Sequence, residues 1–125
     1  MSVKELMRAT VAPLSNEVFD AAVWVNGIPT GVPTTDEEWD EVKDSALTLA
    51  EAGNLLMMTP RARDTSGWMV RAQELVAAAL SAAKATDSKD LETMFRAGGV
   101  LDATCDACHN LYPPLEMPAP TAPMR

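Results

Sequence analysis

Histidine occurs once in this 125-residue chain, cysteine twice, and aromatic residues make up only 5%. Positive charge is scarce too: 10 Lys and Arg stand against 18 Asp and Glu, a formal net charge of -8. That balance argues against binding DNA or RNA through phosphate neutralisation and in favour of a basic protein partner. No run of about 18 apolar residues exists, so no helical membrane span is expected. The opening MSVKELMRAT lacks the apolar core of about 7–15 residues that an export signal needs. Two readings follow, a cytosolic protein or a mature domain whose signal has been removed. Neither a glycine-rich phosphate loop nor an internal repeat is present.

What the chain does contain points to helices. Hydrophobic residues reach 47%, mostly aliphatic and small, and alanine runs such as ELVAAALSAAKA favour helix over strand. The length suits one domain with a sizeable core. The first segment places Val3, Leu6, Met7, Thr10, Leu14, Val18 and Ala21 at helical spacing, interrupted by Pro13, which predicts a kinked helix from about Val3 to Trp24. NGIPTGVPTT reads as a loop. A capping box, Thr35 with Glu38 or Thr34 with Glu37, then opens a helix whose Trp39, Val42, Ala46, Leu49, Gly53 and Leu56 form one stripe, ended near Pro60. A third helix is expected over about 66–85, with Trp68, Ala72, Leu75, Ala79 and Ala82 on one face. TDSKD caps a last helix carrying Leu91, Met94, Gly98, Leu101, Cys105, Cys108 and Tyr112 inward until Pro113 and Pro114 stop it. Gly98 and Gly99 suggest a close helix contact there. The expectation is an all-α, antiparallel up-down-up-down four-helix bundle over 1–112, followed by a Pro-rich tail over 113–125.

Both cysteines and the only histidine fall within CDACH, Cys105 to His109. At about 100° per residue, Cys105, Cys108 and His109 share one helix face. Two thiols so placed suit thioether bonds to the two vinyl groups of a haem, with the adjacent imidazole on the iron; Cys-x-x-Cys-His is the attachment signature of c-type haem. Zinc is the weaker alternative, since a structural site wants four ligands and the chain offers three Cys and His in all. A thioredoxin-like pair would sit near the start of a helix, where the dipole lowers a thiol pKa, not near its end.

The pattern resembles the class II c-type cytochromes, the cytochrome c-prime group and its low-spin relatives, over about residues 3–112. CDACHNLYPP carries most of the likeness, with LMRATVAP and EAGNLLMM in support. The resemblance implies one haem c held through Cys105 and Cys108, His109 as proximal ligand, and, as in low-spin members, a methionine of the first helix, here Met7, as distal ligand. Within the expected bundle Met7, Met57, Met58 and Met69 all lie near the level of the iron, whereas Met94 lies about 22 Å up the same helix from His109. Met117, after the two prolines, is a poor candidate. Met57 and Met58 suit packing, and an open distal site lined by Met7 or Leu6 is the alternative. Trp68 is expected to flank the porphyrin or to join the core. Arg8, Arg61, Arg63 and Arg71 are candidates for the haem propionates.

These expectations amount to a periplasmic cytochrome that carries single electrons to a redox partner with a basic docking surface, and is not an enzyme, since its one reactive constellation holds the cofactor. A five-coordinate, high-spin protein binding NO or CO is the alternative, and a zinc-binding helical module a further one. Pairing into a homodimer is also open.

Overall fold

The computed structural model describes residues 1–114, so the Pro-rich tail from Leu115 onward and Met117 lie outside the described residues. The described residues are mostly helical, with four helices and one two-stranded ribbon among them. Helix α1 has three parts: an α-helical turn Val3–Leu6, a π-helical turn Met7–Val11 and an α-helix Ala12–Asp20. Ser2 and Glu5 close a capping box at its start. Where a kink was expected at Pro13 the helix carries that π turn just before it, and the helix ends four residues before Trp24.

Trp24 instead begins a ribbon, β1 (Trp24–Val25) and β2 (Ile28–Pro29), antiparallel with Val25 opposite Ile28. Asn26 and Gly27 form its turn with φ of 52° and 77°. Asn-Gly supplies the two positive φ values that a tight hairpin turn requires, and WVNGIP is therefore a hairpin where the sequence reading placed a loop. Trp24 packs edge-on against Phe95, ring centroids 5.6 Å apart.

Helices α2 (Asp36–Leu56), α3 (Gly67–Ala85) and α4 (Leu91–Leu111) follow. The α2 capping box is Thr35 with Glu38, whose carboxylate also accepts from the Thr34 amide and hydroxyl. At α3 the capping role falls to Asp64, which accepts from the amides of Ser66 at 2.9 Å and Trp68 at 3.0 Å. Asp90 caps α4 through the Thr93 amide. A 3-10 turn, Thr86–Ser88, joins α3 to α4 and is tied to the start of α2 by two ion pairs, Lys43 with Asp87 and Lys89 with Asp36.

Every expected stripe residue of α2 and α3 is buried. In α4 Met94, Gly98 and Leu101 are buried, with Cys105 and Tyr112 half-buried against the core. The close helix approach lies at Gly53, where a Cβ would stand 2.6 Å from Val76 Cγ2, and not at Gly98 or Gly99, which have ordinary contact and open space. Along α1 the buried set departs from the expected one: Val11 and Ser15 are buried where Thr10 and Leu14 were expected.

Candidate functional site

The last turns of α4 face a cavity of about 470 Å³ that opens between α1, α3 and α4. Cys105, Cys108 and His109 all lie on its wall, brought there by the single helix face they share. Met7, Val11 and Phe19 approach from α1; Trp68, Ala72 and Leu75 from α3; Leu56 closes the end of α2. A cavity of this size, lined mainly by apolar groups with a few converging polar ones, has the character of a cofactor or ligand site.

Of the candidate methionines, Met7 is on the cavity wall, while Met57, Met58 and Met69 are not. Met58 is largely exposed, and Met57 and Met69 pack against the core, as gap-filling methionines do. Leu6 is fully buried in the core and does not line the cavity, whereas Met7 and Val11 do. Trp68 is buried in the core, its indole N–H donates to the Leu56 carbonyl at 2.7 Å, and it borders the cavity.

Both thiols are free. Burial pushes the Cys105 thiol up to about 11, with the nearby Asp102 and Asp106 carboxylates adding to the effect. Burial also raises Cys108, opposed by Arg71. Neutral, poorly nucleophilic thiols are the opposite of what a dithiol redox pair needs. Among the described residues no three or more His, Cys, Asp or Glu side chains are grouped so as to hold a metal ion.

Compared with protein-family models, curated proteins and solved structures, the chain finds no match.

Cations border the site as well. Arg61, Arg63, Arg71 and Lys4 line it, and Arg8 does not. Arg61 is anchored by its Nε to the Met1 carbonyl at 2.8 Å and by Nη1 to the Leu55 carbonyl at 3.1 Å. Arg71 pairs with Glu74 at 3.1 Å and buries an Nε that has no partner among the described residues. Ser15, also on the wall, has a buried hydroxyl without a partner among the described residues.

A side-chain latch closes one end. The Tyr112 hydroxyl donates to Asp64 Oδ2, the ring stacks edge-on against Trp68 at 5.0 Å, and the Arg63 guanidinium lies 6.0 Å from its centroid. Donation from Tyr112 holds the Asp64 carboxyl below its usual range and raises the phenol. Sequence reading had Tyr112 on the inward face but missed Asp64. Its signal was an Asp two residues ahead of Ser66 at a helix start, which competes with Ser66 as the cap.

Proposed function

We propose that the chain is a monohaem c-type cytochrome that carries single electrons. The observation that supports this best is that two thiols, an imidazole and a thioether, Cys105, Cys108, His109 and Met7, all line one largely apolar cavity. Cys105 and Cys108 would hold haem c by thioether bonds, and His109 and Met7 would be its axial ligands. Haem bound there supplies a one-electron iron couple. The protein's residues do the rest: Trp68, Val11 and Phe19 give the cavity an apolar wall, and Lys4, Arg61 and Arg63 provide cations for carboxylates at its rim. The buried, partnerless Ser15 hydroxyl and Arg71 Nε fit a cavity whose polar contacts are completed by a ligand.

An antiparallel up-down-up-down course belongs to the same reading. It is supported by the Met1–Arg61 contact between the start of α1 and the end of α2, by the ion pairs joining the start of α2 to the α3–α4 turn, and by the Trp68–Tyr112 pair joining the start of α3 to the end of α4. Attachment of haem to reduced thiols places the mature protein in the periplasm, and its charge suits a basic redox partner.

Co-expression with a haem-attachment system followed by denaturing mass spectrometry should give one haem per chain; the bare polypeptide mass would overturn the reading. The ferric spectrum should be low-spin and become high-spin in Met7→Ala. A high-spin wild type would instead favour five-coordinate iron and gas binding.

A further inference from the structure

Burial along α1 slips by one residue at the π turn. Upstream, Leu6 faces the core and Met7 the cavity; downstream, Val18 faces the core and Ser15 and Phe19 the cavity. A straight α-helix cannot satisfy both halves. At about 100° per residue, Met7 would stand about 80° from Ser15 and about 120° from Phe19. A π turn is equivalent to one inserted residue, and counting one residue fewer brings Met7 within about 20° of both. In a straight helix the residue within about 20° of Ser15 and Phe19 is Arg8.

The cause of the insertion lies in the sequence. Pro13 has no N–H to give the Ala9 carbonyl, and its ring would run into that carbonyl in a regular α-helix. The turn just before it is the one that widens: the Ala12 N–H reaches back five residues to the Met7 carbonyl. Pro13 itself is exposed, so its effect is on the backbone.

We propose that Pro13 is a positioning residue: by enforcing the π turn at Met7–Val11 it directs the Met7 thioether, in place of the Arg8 side chain, into the cavity. The consequence for iron ligation rests on the haem reading, whereas the geometry rests on the backbone alone. One prediction separates positioning from simple stabilisation. Pro13→Ala allows a straight helix that turns Met7 away, and deleting Ala9 in the same chain removes the inserted residue and brings Met7 back while keeping Leu6 in the core.

Nuclear magnetic resonance on methyl-labelled methionine protein reads this without reference to haem. The wild type should show a Met7-to-Ala12 contact of the five-residue kind and Met7 methyl contacts to the Ser15 and Phe19 side of the cavity. Pro13→Ala should lose both, and Pro13→Ala with Ala9 deleted should regain the methyl contacts in a helix of regular four-residue contacts. In the haem-loaded proteins the ferric spectrum should run low-spin, high-spin, low-spin across the same series. Alanine is the better helix former, so the first variant is expected to keep its helicity. Persistence of the five-residue contact and the Met7 methyl contacts in Pro13→Ala would overturn the proposal. A wild type that takes up no haem would sink the cytochrome reading instead and leave the methyl contacts to decide this one.

Discussion

Cys105 shows how one side chain separates competing chemistries. Its thiol is held at about 11 because burial disfavours the thiolate and Asp102 and Asp106 repel it. The unfolded thiol titrates near 9.0, so between that value and about 11 the unfolded chain has lost a proton that the fold still holds. Stability from this group is therefore complete below pH 9 and is lost as pH rises toward 11. Alkylation of the haem-free protein by iodoacetamide should accordingly be slow at pH 8, accelerate toward pH 11, and be fast at pH 8 once the chain is unfolded. Equal rates in the folded and unfolded chain at pH 8 would contradict the burial argument. The positions of Cys105, Cys108 and His109 were legible in the sequence because they depend only on helical periodicity near a helix end. The capping role of Asp64 had a local signal in its place just ahead of Ser66, but its bond to Tyr112, 48 residues away, had none.

At the scale of elements, α2, α3 and α4 follow their sequence stripes because unbroken α-helices keep the 3.6-residue period that the stripe assumes. Helix α1 does not, since the π turn adds a residue to one turn and shifts the buried positions from Thr10 and Leu14 to Val11 and Ser15. The hairpin was written in WVNGIP, but its two-residue strands are too short to show alternation, leaving Asn26-Gly27 as the only signal. Gly53 gives the test at this scale. An alanine in a helix interior gains about 1 kcal/mol over glycine. Here the new methyl would meet Val76 Cγ2 at 2.6 Å, with the Ala72 carbonyl and Val76 amide both at 3.4 Å, and valine has little rotamer freedom to withdraw. Overpacking of this kind costs about 1–3 kcal/mol, so Gly53→Ala should be net destabilising by denaturant unfolding. Trimming the obstructing side chain in Gly53→Ala with Val76→Ala should recover part of the loss. A more stable Gly53→Ala would mean that the α2–α3 spacing adjusts freely.

For the whole molecule, the charge distribution is what a partner meets first. The chain carries -8 overall, yet cations collect around the cavity at Lys4, Arg61, Arg63 and Arg71, while Asp36, Glu37 and Glu38 crowd the first turn of α2 and Asp102 and Asp106 flank Cys105. The rim cations are partly occupied, Arg71 by Glu74 and Arg61 by backbone carbonyls, so the field at a distance is set by the acidic excess. A basic redox protein should therefore be drawn in faster than an acidic one. Screening tightens from a Debye length of about 30 Å at 0.01 M salt to about 3 Å at 1 M, which removes long-range steering and leaves only contact. For the haem-loaded protein, stopped-flow electron exchange with a basic partner should slow by about tenfold or more across that range, and exchange with an acidic partner should be slower at low salt and rise. Because contact chemistry at the cavity mouth is the same in both series, a difference that vanishes at 1 M salt isolates the acidic surface as its source. Rates insensitive to both partner charge and salt would place recognition in local fit at the mouth of the cavity.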